Sequence, residues 1–170
     1  MSESGSDVQY RHPVVWALLS DKQGDNPQVL SLAHALPWPI VERRIMPLPW
    51  YARGKPWSRP SLHHIDPGQS IRLEPLWTDA IITIGRRLTM AALWVRGRSG
   101  NTTKLILLGR QPRNLDDFAL VITSCQHLTA NDPRVLRVAL PLDDSRAGSA
   151  PSASGPETIP DGDTALLIGG

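Results

Sequence analysis

The sequence predicts an α/β domain built on a Rossmann-like, mainly parallel sheet flanked by helices, and two observations carry that prediction. Short, continuously apolar runs rich in β-branched residues recur along the chain: "VVWALLS" (14–20), "DAIITIG" (79–85), "KLILLG" (104–109) and "DFALVITS" (117–124). Such runs mark strands covered on both faces. Segments with helical apolar spacing alternate with them, which implies parallel pairing through right-handed crossovers. A length of 170 residues allows one good core.

"VVWALLS" opens the pattern. Asn26 then stands where a helix N-cap is wanted, and Pro27 at a first helical position that needs no amide donor. Val29, Leu30, Ala33 and Leu36 follow at helical spacing, predicting a helix over 27–36 that Pro37 ends. "IVERRIMPL" (40–48) alternates Val41, Arg43 and Ile45 against Glu42 and Arg44 and reads as a second strand. Between Pro47 and Gln69 five prolines and two tryptophans exclude regular structure. A connection of that length is either functional or mobile. "RRLTMAALWVRGR" (86–98) sets Leu88, Ala91, Ala92 and Val95 on one helical face. Arg96 and Arg98 suit the negative end of its dipole, whereas Arg86 and Arg87 oppose the positive end. Arginines so placed point to an anionic ligand. "RVLRVALPL" (134–142) is a weaker strand, and Trp16 and Trp94 are expected in the core.

Apolar residues at 41% and charged residues at 20% describe an ordinary globular protein. The charge is uneven: residues 42–98 hold ten Lys/Arg against four Asp/Glu, and 143–170 hold one against five. A basic middle meets phosphates, nucleotides or anionic lipid heads, unless its arginines merely solvate the surface. Nucleic acid is not expected as a partner, because the arginines gather at strand ends without an interleaved aromatic platform. The single cysteine, Cys125, excludes an internal disulfide and suits a reducing compartment. It follows the run "FALVIT" and reads as a strand-end packing residue rather than a nucleophile. "MSESGSDVQYRHP" has no apolar signal core, and no apolar stretch approaches the ~20 residues of a spanning helix. The expected location is cytoplasmic, with the inner membrane surface as a peripheral station.

The organisation that follows is a flexible N-terminus (1–13), a Rossmann-like domain (14–142) and a flexible linker (143–163) of Ser, Ala, Pro, Gly and Asp. "TALLIGG" (164–170) reads as the first strand of a second α/β domain that this chain lacks, so the chain reads as an N-terminal fragment.

Four stretches, "SDKQGDNPQVLSLAHAL", "IITIGRR", "RSGNTTKLILLGRQPRNLDDFALVITSCQH" and "VLRVALPL", resemble in order the bacterial branch of the mitochondrial-fission (elongated-mitochondria) family, and "LLIGG" resembles the start of that family's second half. The likeness covers most of 14–142 and 164–170. It departs where the family carries an aromatic and this chain has "CQHL". The resemblance implies half of a GT-B architecture, with two Rossmann-like domains facing across a cleft. It further implies the acceptor-side domain of a nucleotide-sugar glycosyltransferase of cell-envelope metabolism, inactive in isolation. No cofactor is then expected in this chain, since the nucleotide-sugar donor would sit mainly on the second domain. The partners would be a sugar or lipid-linked acceptor and that missing domain. Two alternatives stay open: a non-catalytic, membrane-associated adaptor, and a small-ligand binding module without chemistry.

In open α/β sheets ligands meet the loops at the carboxyl ends of the strands. The loop 20–28 offers Lys22, Gly24, Asn26 and Gln28 as ligand-binding residues, with Asp21 and Asp25 as candidate general bases. Capping of the helix by Asp25 and Asn26 and a plain turn at Gly24 is the simpler account of the same residues. Gly85, Arg86 and Arg87 offer backbone amides and two guanidinium forks to an anion. Gly109 and Arg110 repeat that arrangement after the next strand, and Gln126 and His127 reach the same edge, His127 as a further catalytic candidate. Trp50, Arg53, Lys55, Trp57 and Arg59 form a candidate membrane-docking segment. His63, His64 and Asp66 lack ligand spacing, so no metal is expected.

Overall fold

The computed structural model describes residues 12–51, 59–110, 112, 114–124 and 131–139. Val15–Leu19 (β1) and Ala80–Ile84 (β3) are buried at every position and lie side by side in the interior of the sheet. Ile40–Arg44 (β2) flanks β1, while Lys104–Leu108 (β4), Leu120–Ser124 (β5) and Val135–Val138 (β6) extend the sheet beyond β3. The order is β2-β1-β3-β4-β5-β6 and every pairing is parallel. The Rossmann-like α/β class expected from the apolar runs is therefore the observed one.

Two helices complete the described fold. Asn26–His34 (α1) links β1 to β2 and buries Val29 and Ala33. Gly85–Arg98 (α2) links β3 to β4 and buries Leu88, Ala91, Ala92 and Val95, as their spacing predicts, together with Met90. The crossovers leave β1 and β3 in opposite directions, so their right-handedness places the helices on opposite faces. On the α2 face, Trp16 packs edge-on against Trp77, and Trp77 against Trp94. Arg43 and Arg98 stack on the two ends of that row, 4.7 Å and 5.2 Å from the ring centroids of Trp16 and Trp94.

The register is fixed at the amino ends of the strands. Thr78 and Asp79, just before β3, bond the backbone of Val14 ahead of β1 through the Thr78 hydroxyl and the Asp79 carboxylate. Lys104 N–H donates to the Asp79 carbonyl at 2.9 Å, and the Thr103 hydroxyl to the Thr78 carbonyl at 2.8 Å. Three strands are thereby aligned from one dipeptide.

Several boundaries differ from expectation, each for a local reason. Asp25, not Asn26, is the N-cap of α1, and Asn26 is the first helical residue. The strand expected over 40–48 ends at Arg44; beyond it Pro47 makes only an isolated antiparallel bridge with Ile65. The run 117–124 yields a strand only from Leu120, because Phe118 closes a turn onto the Leu115 carbonyl and buries its ring instead. Between β4 and β5 the described residues hold Pro112 and the Asn114–Asp116 turn, with no helix among them. Before β6, Arg134 forks onto Asp132 and reaches Asp116, which holds the Asp132 carboxyl down at about 2. Residues 1–11, the segment 143–163 expected as a linker and the segment 164–170 expected as a strand lie outside the described residues. No helix among the described residues is long and apolar enough to cross a membrane.

Ile81, with no exposed surface, faces both neighbouring strands, whereas Leu136 on β6 is 50% exposed. Ile81→Ala is expected to cost about 2–5 kcal/mol by cavity formation. Leu136→Ala should stay within about 1 kcal/mol, since little of its side chain is withdrawn from water. Urea denaturation of the two variants checks the contrast.

Candidate functional site

Strand order reverses between β1 and β3, because the chain runs outward from β1 to β2 and then from β3 to β4 on the other side. At such a switch point the two crossovers diverge and leave a crevice over the carboxyl ends of the strands. Val15 pairs with Ala80, and Ala80 with Lys104. Carried to the other end, this register sets Ser20, Gly85 and Gly109 level with one another. The three loops singled out in the sequence thus begin from one line across the sheet, two of them at the crevice itself.

The loop after β1 is shaped by Asn26. Its side-chain oxygen accepts from the Ser20 N–H and its amide donates to the Ser20 carbonyl, both at 2.9 Å. This two-bond clip turns the chain back within six residues and occupies the group that the sequence reading assigned to capping. Asp25 makes no side-chain cap bond. Its carboxylate lies 3.9 Å from Lys22 Nζ and borders Gly85, where an added Cβ would stand 3.8 Å from Asp25 Oδ2. The carboxylate therefore faces the crevice. Gly24 has open space around it and no positive φ, so nothing in the turn requires glycine there. Gln28 only reaches back to the Gly24 carbonyl, at 3.4 Å.

Across the crevice Gly85 adopts φ +68° and Gly109 φ +111°, conformations that favour glycine. Gly85 turns β3 directly into α2, so Arg86 and Arg87 fall in the first helical turn. Arg86 is exposed. Arg87 is largely buried, with 17% of its side chain exposed, and its Nη2 lies 3.6 Å from Asp21 Oδ1. Its Nη1 is buried and lacks a hydrogen-bond partner. One guanidinium thus spans the switch point, half engaged by the opposite loop and half unsatisfied. An unsatisfied buried donor costs roughly 1–3 kcal/mol.

The structure brings Asp21, Lys22, Asp25, Gly85, Arg86 and Arg87 to one place. Gly109 and Arg110 stand one strand further out, with Arg110 exposed. Cys125, Gln126 and His127 lie outside the described residues, as do Arg53, Lys55 and Trp57. Of the remaining membrane-docking candidates, Trp50 is 65% exposed, and Arg59 is exposed but engaged in an interaction of its own. No group of His, Cys, Asp or Glu suited to a metal ion occurs among the described residues.

Sequence reasoning missed His64. The residue is 1% exposed, donates from Nε2 to the Arg87 carbonyl at 2.8 Å and stacks on Tyr51 with ring centroids 5.1 Å apart. Burial lowers its pKa below the ordinary 6.5; the Arg87 and His63 charges act the same way, and the bond to the Arg87 carbonyl opposes them. The signal available in the sequence, a His-His pair between prolines, gives no hint of which histidine turns inward.

Compared with known protein families, with curated proteins and with solved structures, the chain finds no match.

Asn26→Ala removes both bonds to a Ser20 that is only 9% exposed. A stability loss of about 1–3 kcal/mol is expected. A neutral result in urea denaturation would contradict the clip.

Proposed function

We propose that the β1/β3 crevice receives the phosphate portion of a nucleotide-linked ligand, and that the chain acts as the acceptor-side domain of a GT-B-type nucleotide-sugar glycosyltransferase. The observation that carries this reading is Arg87, whose guanidinium spans the switch point with one buried nitrogen unsatisfied. The ordered resemblance of four stretches to the mitochondrial-fission family supports the two-domain part of it. In such an enzyme, Arg87, Arg86 and Lys22 would stabilise the charge that develops on a departing diphosphate. Asp25 is the better placed general base of the two aspartates. Its carboxylate is spared from capping and borders Gly85, whereas Asp21 is held toward Arg87. The acceptor hydroxyl would lie between Asp25 and the leaving oxygen. Completion of the site falls to a second domain, which in this fold class supplies most of the donor contacts.

The second reading, a non-catalytic module docked on an anionic membrane, rests on Trp50, the most exposed aromatic side chain among the described residues that belong to the docking segment.

Calorimetric titration with pyrophosphate separates the two. The crevice reading predicts binding that Arg87→Gln weakens about tenfold or more, as expected for loss of a charged hydrogen-bond partner, while Asp21→Asn retains it. Equal affinity of wild type and Arg87→Gln would overturn the reading. Replacing pyrophosphate by phosphatidylglycerol vesicles tests the other arm: capture that Trp50→Ala abolishes, without pyrophosphate binding, favours the membrane module.

A further inference from the structure

We propose that His64 is a proton-operated latch that positions Arg87: neutral, it fastens the stretches 46–48 and 61–66 to the first turns of α2, and protonation releases them. The inference rests on the crevice reading in so far as it takes Arg87 to be the group that meets the anion.

Two contacts tie the stretch 61–66 to α2, and Tyr51, just beyond 46–48, adds a third. His64 Nε2 bonds the Arg87 carbonyl at 2.8 Å, Ser61 N–H donates to the Met90 carbonyl at 3.3 Å, and the Tyr51 hydroxyl meets Met90 Sδ at 3.9 Å. The two stretches are joined to each other as well. Leu48 N–H donates to the His64 carbonyl and Asp66 N–H to the Met46 carbonyl, both at 2.8 Å. His64 is the one titratable side chain within this set whose ring is wholly enclosed, at 1% exposure.

A carbonyl only accepts, so Nε2 carries the proton of the neutral ring and Nδ1 carries none. Nδ1 is buried without a hydrogen-bond partner. Protonation would place a second N–H there with nothing to receive it. The surroundings do not favour a cation. From α2 the ring meets Arg87; from the turn at 48–51 it faces the Tyr51 ring; along its own stretch it neighbours His63. The charges acting on it are those of Arg87 and His63, both of which disfavour a second positive charge.

The direction of the effect follows. A histidine whose pKa is lowered by folding binds fewer protons in the folded than in the unfolded state. The stability it confers is complete above the ordinary value of 6.5 and is lost as pH falls through the lowered value. Because the bond is made to the backbone of Arg87 itself, its loss acts first on the turn that carries the guanidinium toward Asp21.

The test uses amide hydrogen exchange of the whole chain, which needs no ligand. In wild type, the protection factors of Leu48 and Ser61 should fall at least about tenfold from about pH 7.5 to about pH 4.5, while those of the β1 and β3 core amides hold. In His64→Gln, whose amide can donate to the same carbonyl but does not titrate, the protection should be independent of pH. Unchanged wild-type protection, or parallel loss in His64→Gln, overturns the latch. Should His64→Gln fail to fold, nitrogen NMR of the wild-type ring decides: protonation of His64 without concurrent loss of protection at Leu48 and Ser61 is equally fatal. Sulfate, which does not titrate in this range, then reads the positioning role. Its affinity should fall together with the latch in wild type and not in His64→Gln; loss of protection with unchanged sulfate affinity overturns positioning of Arg87. A wild type that binds no sulfate at any pH would refute the crevice reading, and the exchange data would still decide the latch.

Discussion

The alignment of β1, β3 and β4 from the Thr78–Asp79 dipeptide is the constraint on which the rest of the structure depends. Parallel strands have no hairpin to set their register, so something outside the ladder must do it. Here one hydroxyl, one carboxylate and two carbonyls fix the amino ends of three strands at once. A shift of one residue would carry Trp16, Ile81 and Leu105 away from the α2 face and bring their neighbours there instead. It would also move Ser20 out of line with Gly85. Register at one edge of the sheet therefore decides what meets at the other.

What meets there is a group of charges that neither loop could assemble alone. Asp21 and Asp25 arrive from β1, and Arg86 and Arg87 from β3. Two devices hold them in position: the Asn26 clip on Ser20 and the left-handed turn at Gly85. The first closes the loop after β1, and the second starts α2 without an intervening loop. The ion pairs formed are long, 3.6 Å and 3.9 Å, and partly exposed. Pairs of that kind contribute little to stability. Their arrangement is better explained by what a ligand would find than by what the fold gains.

Much of this was legible in the sequence, and the legible parts share a cause. β1 and β3 could be read because burial on both faces removes polar residues from the strand itself, leaving a signal within seven residues. The apolar face of α2 was equally plain, as was the oddity of Arg86 and Arg87. Readings failed where the deciding partner was distant or structural. Asn26 looked like a cap because its preferred alternative, both backbone groups of Ser20, exists only once the loop has closed. Gly24 and Gly109 looked alike as loop glycines, yet only Gly109 of the two takes a positive φ. The run 117–124 began its strand late because Phe118 closes a turn onto the Leu115 carbonyl. His64 was hidden for the same reason: its burial depends on Tyr51, Leu48 and α2, which the linear order scatters.

Backbone amide NMR can place a ligand at the β1/β3 switch point or exclude it from there. Titrating the labelled chain with pyrophosphate should shift the amides of 20–26 and 85–88 together and saturably. Shifts confined instead to the shallow groove beside Trp94, Arg96 and Arg98 at the other end of α2, or absent altogether, would contradict the account.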